Sequence, residues 1–137
     1  MICIYCQHTK TSVVNSRGSK KLASVWRRRE CQQCHRVFTS REEPVPEQMP
    51  LVSYPDSSTS PLDSLRLAMS IITVLDSSIA PSHAYELAKT ATQHILSISN
   101  EQKLTPKAIA VETHAVLIRY SKRAALQYGA KYNLIKF

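Results

Sequence analysis

Cys3-Ile4-Tyr5-Cys6 and Trp26-Arg27-Arg28-Arg29-Glu30-Cys31-Gln32-Gln33-Cys34 decide how this chain is read. The two C-x-x-C pairs stand 24 residues apart. Four thiolates at this spacing close a tetrahedral shell around a single Zn²⁺. Cys3, Cys6, Cys31 and Cys34 are the expected ligands. A shell filled by four cysteines leaves no open position for a substrate, so the zinc is expected to be structural. His8 and His35 lie beside the pairs, but the tetrahedron is already complete without them. A redox pair is the rival reading; it calls for one C-x-x-C near a βαβ unit, and none is visible.

Outward from the cysteines, residues 1–43 offer little to bury: Val13, Val14, Leu22, Val25, Trp26, Val37 and Phe38 are most of it. That is too little apolar surface to offset chain entropy unaided. Metal binding must supply the difference, on the order of 10 kcal/mol for a structural zinc. Short β-prone runs at Thr11–Val14, Leu22–Trp26 and Arg36–Ser40, with a turn expected at Ser16-Arg17-Gly18-Ser19, complete the pattern of a small zinc ribbon. In a strand, Arg27 and Arg29 share one face while Arg28 points to the other. Trp26 is expected to cover the ribbon's small core, with base stacking as the alternative.

The 137-residue chain carries a net charge of +8. Residues 1–43 hold nine Lys/Arg against three Asp/Glu, so most of the surplus sits beside the cysteines. Clustered positive charge favours a polyanionic partner. Arginine forks suit phosphate oxygens and guanine edges, which makes Arg27, Arg28, Arg29, Arg36, Lys20 and Lys21 the candidate DNA contacts. No apolar run reaches the roughly 18–20 residues of a membrane span. No basic segment precedes an apolar stretch at the N-terminus, so no secretory leader is expected and a reducing, cytoplasmic setting follows.

Glu42-Glu43-Pro44-Val45-Pro46-Glu47 reverses the charge and reads as a connector. It separates a zinc-ribbon domain, 1–46, from a mainly α-helical domain, 49–137. Met49–Tyr54 reads as one strand and Pro55–Pro61 as turn. A first helix is expected from Pro61, capped by Ser60, with Leu62, Leu65, Met69, Ile72 and Leu75 as its inward stripe. A second runs from about Ser82 to Ile98 with Leu87, Ala91, Ile95 and Ile98 inward. Thr105-Pro106 opens a third carrying Ile109, Val116, Leu117 and Tyr120. A fourth runs from about Lys122 to Ile135, with Leu126 and Tyr128 or Tyr132 available for packing. His83, His94 and His114 are scattered. Two glycines in the whole chain exclude the glycine-rich phosphate loops. No catalytic constellation stands out, so an enzyme is not expected.

The order Cys3-x-x-Cys6, Arg27-Arg28-Arg29-Glu30-Cys31-x-x-Cys34-x-Arg36-x-Phe38-Thr39, with Glu42 shortly after, resembles the NrdR family of bacterial repressors of ribonucleotide reductase operons. Those proteins join a zinc ribbon to an ATP-cone, a small helical domain that senses ATP and dATP. The resemblance implies zinc on the four cysteines and DNA against Arg27, Arg28 and Arg29. The family usually has a further arginine where Trp26 stands. In the second half the likeness is one of outline, an ATP-cone-like domain. The family's Val-Lys-Arg-x-Gly-like nucleotide stretch is replaced here by Val52-Ser53-Tyr54-Pro55-Asp56-Ser57, and Arg66 falls where the first helix normally offers a lysine. Val52, Tyr54 and Arg66 are therefore the nucleotide candidates that the resemblance implies. Near the C-terminus, Ala124 to Tyr132 lacks the family's first tyrosine and its arginine.

Two function classes follow. One is a sequence-specific regulator, a nucleoid-associated repressor that binds double-stranded DNA as a dimer or larger assembly and responds to ATP or dATP. The other is a zinc-ribbon protein-interaction module whose cone serves only as an oligomerisation scaffold.

Overall fold

The computed structural model describes residues 1–20, 23–46, 48–99 and 104–135. The chain forms two compact units, Met1–Pro46 and Glu47–Phe137.

The first unit is a three-stranded antiparallel sheet in the order β1-β2-β3, formed by β1 (Thr11–Ser19), β2 (Ser24–Cys31) and β3 (Val37–Glu42). The expected turn at Ser16–Ser19 is instead the end of β1. The ladder runs on from Arg17↔Trp26 to Ser19↔Ser24, and the reversal comes after Ser19, with Ala23 left-handed at φ 42°. Gly18 has no positive φ and sits opposite Val25, so it serves as a strand residue rather than a turn residue. A bulge between Val13 and Asn15 lets the long β1 keep pace with β2. The core of this unit consists of Cys3, Cys31 and Phe38, with Cys34 against them. Val13, Val14, Val37 and Trp26 are exposed, so Trp26 does not cover that core. Leu22 lies outside the described residues.

The second unit opens with a hairpin of β4 (Leu51–Ser53) and β5 (Thr59–Pro61), followed by α1 (Ser64–Ile72), α2 (Pro81–Ile98), α3 (Pro106–Tyr120) and α4 (Lys122–Lys131). Pro61 does not start the first helix; it closes β5 opposite Leu51, and the Leu62 N–H extends the ladder to the Pro50 carbonyl at 2.9 Å. Asp63 takes the capping role, accepting the Leu65 N–H at 2.8 Å. Leu104 returns beside β4, donating to Leu51 and accepting from Ser53. Thr105 caps α3 through the Ala108 N–H, with Pro106 in the first turn, as the sequence predicts.

Helix α1 buries a different face from the one expected. Leu67, Ala68 and Ile71 turn inward, while Leu65, Met69 and Ile72 are exposed. Leu62 is buried against Val52 and Ile95. Small residues let the helices close: Ala84, Ala88 and Ala91 of α2, Ala110 of α3, and Ala124 and Ala125 of α4 join Leu117 and Tyr128 in one core. Leu75, Leu87, Ile109, Val116 and Tyr132 pack against it, whereas Ile98, Tyr120 and Leu126 face solvent, contrary to expectation. Helix α4 stops at Lys131 rather than running on to Ile135.

Candidate metal centre and nucleic-acid interface

Each cysteine pair is shaped by its own backbone. The Cys3 N–H donates to the His8 carbonyl at 2.9 Å and the Gln7 N–H to the Cys3 carbonyl at 3.0 Å. The same two bonds recur at Cys31, from its N–H to Arg36 and from the His35 N–H back to Cys31. The residue following each pair, Gln7 or His35, is left-handed at φ 59° and 56°. These matched turns aim backbone N–H groups at sulfur: Tyr5 donates to Cys3 Sγ at 3.4 Å, and Gln33 and Cys34 donate to Cys31 Sγ at 3.4 and 3.5 Å.

The four Sγ atoms lie within 4.8 Å of one another. Cys3 to Cys34 is 3.7 Å and Cys6 to Cys31 is 3.5 Å. Zn–S bonds of about 2.3 Å place tetrahedral sulfurs about 3.8 Å apart, so the donor set fits one Zn²⁺. The Cys34 and Gln33 amides hold the Cys31 thiol down to about 6. At Cys6 the lowering pull of the His8 backbone is outweighed by burial and by the three neighbouring thiols, which push it up to about 12. Four sulfurs this close cannot all ionise without a cation among them. A zinc ion held by Cys3, Cys6, Cys31 and Cys34 would supply that positive charge and cross-link the two turns. Among the described residues no histidine joins the cluster; His35 reaches Glu30 at 3.4 Å instead.

The sheet beyond the metal end has two chemically distinct faces. On one, Arg27 donates from Nε to Glu42 Oε1 at 2.8 Å, and Arg29 donates from Nε to Ser40 Oγ at 2.9 Å. The Arg29 side chain is only 13% exposed. Arg27 and Arg29 thus share a face, as strand alternation predicts, and both are engaged within the ribbon. On the other, Arg17, Trp26 and Arg41 form one cross-strand row and Asn15, Arg28 and Thr39 the next. A groove of about 300 Å³ opens here, lined by Asn15, Ser16, Arg17, Trp26, Arg28 and Thr39. Arg41 pairs with Glu43 and lies 5.2 Å above the Trp26 ring.

The sequence candidates are therefore not brought together as one patch. Arg28 is exposed on the Trp26 face. Arg36 stacks on Tyr5 at 5.2 Å, near the metal end. Lys20 is exposed just after β1, and Lys21 lies outside the described residues. Sequence reasoning missed Asn15, Arg17 and Thr39, because the expected turn took Arg17 out of the strand. Extending the period-two alternation of β2 across to β1 is the signal that finds them.

In the second unit, Val52, Tyr54 and Arg66 line one cleft of about 370 Å³, together with Leu67, Tyr128 and Tyr132 among others. Tyr128 and Tyr132 stack with ring centres 4.5 Å apart, and the Tyr128 hydroxyl lies 3.3 Å from Ser70 Oγ. Burial raises the Tyr128 phenol above its ordinary value. Among the described residues Arg66 is the sole cation lining the cleft, and Asp63 also lines it.

Residues 1–42 match the family model described as the N-terminal domain of NrdR-like transcriptional repressors. The chain is also similar to curated proteins named transcriptional repressor NrdR. One, from Xylella fastidiosa strain M23, is 31% identical over 104 residues, 76% of this chain and 58% of the relative. One from Neisseria meningitidis serogroup B is 28% identical over 130 residues, 95% of this chain and 84% of the relative. One from Geobacter metallireducens is 38% identical over 72 residues, 53% of this chain and 47% of the relative. The chain thus spans a little over half the length of the Xylella protein. These relatives are named as repressors, not as enzymes. Among the described residues no helix is long and apolar enough to cross a membrane.

Proposed function

We propose that this relative of the NrdR transcriptional repressors, with an NrdR-type zinc ribbon at residues 1–42, is itself a DNA-binding transcriptional repressor acting on ribonucleotide reductase genes in the cytoplasm. The observation that carries the reading is a sheet closed at one end by a four-thiol cluster and bearing Arg17 and Arg28 exposed on one face, with Arg27 and Arg29 anchored on the other. Zinc holds the ribbon through Cys3, Cys6, Cys31 and Cys34, and the guanidinium groups engage phosphates and base edges of duplex DNA. One ribbon covers few base pairs, so specific binding requires at least a dimer on paired half-sites, with the helical unit joining the protomers. In this reading ATP or dATP enters the cleft at Val52, Tyr54 and Arg66 and alters that assembly.

Electrophoretic mobility shift across a salt series, with DNA from upstream of the chain's own operon, tests the reading. Neutralising several phosphates predicts a steep fall of affinity with salt. A flat salt response, or equal affinity for scrambled DNA, overturns sequence-specific repression.

A second reading is favoured by the make-up of the cleft. A triphosphate carries several negative charges, and a single arginine among the described lining residues, with an aspartate nearby, is a poor match for them. The helical unit is then an oligomerisation scaffold without a nucleotide, and the ribbon's basic face docks an acidic protein. Calorimetry with ATP and dATP decides about the nucleotide. Pull-down with and without nuclease separates DNA from protein as the partner.

A further inference from the structure

Resting on the DNA-binding reading, we propose that the Trp26 face of the ribbon receives an unstacked nucleobase, so that the chain binds single-stranded or locally opened DNA through this face. Trp26 is 46% exposed although it is the largest apolar side chain in the unit. It is not needed by the core, which consists of the thiols and Phe38. It stands in the middle strand, between Arg17 on one side and Arg41 on the other. Arg41 lies over the ring and backs the indole with a guanidinium plane. The adjoining groove of about 300 Å³ is at the small end of ligand sites, a size for one ring system rather than a helix. Its other walls supply what a base and its phosphates need. Asn15 offers an amide with both donor and acceptor, Thr39 a hydroxyl, and Arg17 and Arg28 are cations for the flanking backbone. Of the acidic side chains nearby, Glu43 is paired with Arg41, and Glu30 lies one step further along β2, towards His35.

An intact duplex hides its base faces in the stack and offers only edges and phosphates. An indole with one N–H reads edges poorly but stacks on any exposed base face, which raises affinity about five- to 150-fold per base. Trp26 therefore adds a stacking surface to a face whose other exposed groups, Arg17 and Arg28, suit phosphate contact.

Trp26 is the only tryptophan in the chain, so its emission reports on the site directly. The test titrates the zinc-loaded full chain with a single-stranded oligonucleotide and with the duplex of the same sequence, following fluorescence and anisotropy. Quenching of Trp26 by the single strand is expected. Trp26→Ala is expected to weaken single-strand binding at least about fivefold while changing duplex binding less than about threefold, and Trp26→Phe to recover part of the loss. Zinc stoichiometry of both variants checks that the ribbon is intact. Unquenched emission of the wild type, and unchanged single-strand affinity in Trp26→Ala with duplex binding retained, overturn the stacking proposal and leave the DNA-binding reading standing. Binding to neither DNA overturns both.

Discussion

Arg27 and Glu42 are joined by two hydrogen bonds across the β2–β3 pair, Nε to Oε1 at 2.8 Å and Nη2 to Oε2 at 3.3 Å. Arg29 approaches the same carboxylate at 3.8 Å. One glutamate therefore organises two of the three consecutive arginines, and strand alternation leaves Arg28 on the opposite, exposed face. Three residues that read alike in the chain have two different jobs.

The arginine run separates on mutation. Arg28→Ala is expected to leave zinc content and melting temperature unchanged and to lower the salt slope of DNA binding by about one. Arg29→Ala loses the bond to Ser40 and is expected to destabilise the ribbon by about 1–2 kcal/mol, again without releasing zinc. Salt-series mobility shifts and thermal melts of the two variants check this. Metal loss in either would mean that the arginine holds the thiol cluster in place.

Glu42 gives the ribbon a pH dependence of defined sign. The bidentate Arg27 bond, and then the charges of Arg27 and Arg29, hold its carboxyl below the usual 4.5. A carboxylate with a lowered folded pKa stabilises above its unfolded value, and the contribution fades as the pH falls through the folded value. Glu42→Gln is expected to melt below the wild type at pH 7. A carbon-detected titration of the zinc-loaded protein is expected to put the Glu42 inflection below 4.5. An inflection at or above that value would contradict the arrangement.

Removing a ligand acts on one unit only. The thiol cluster with Phe38 and the helical core are separate clusters of buried residues. Cys31→Ser is expected to abolish stoichiometric zinc and unfold residues 1–46, forfeiting a contribution on the order of 10 kcal/mol, while the helices persist. Circular dichroism at 222 nm and elemental analysis read the two halves. Loss of the helical signal along with the metal would show that the units fold as one.

The two faces of α1 differ in cost. Ile71 is fully buried, whereas Met69, two residues away, is 64% exposed. Ile71→Ala is expected to destabilise the helical unit by about 2–5 kcal/mol. Met69→Ala is expected to change it by about 0.5 kcal/mol or less. Denaturant unfolding of the two variants distinguishes them, and equal losses would restore the stripe read from the sequence.

The metal centre was legible in the chain because its chemistry is local. Each C-x-x-C pair turns on its own backbone hydrogen bonds, and four thiolates at bonding distance require a cation whatever surrounds them. The α3 start at Thr105-Pro106 was legible for the same reason, since the cap is made within a single turn. What lay beyond the sequence depends on partners distant along the chain. Helix α1 has apolar residues on both sides, Leu65, Met69 and Ile72 against Leu67, Ala68 and Ile71, and only packing in the helical core chooses between them. The exposed basic face of the ribbon is likewise a matter of register. It took β1 running on to Ser19 to set Arg17 beside Trp26, and Glu42 arriving from β3 to engage Arg27 and Arg29, before Arg28 could be told apart from its neighbours.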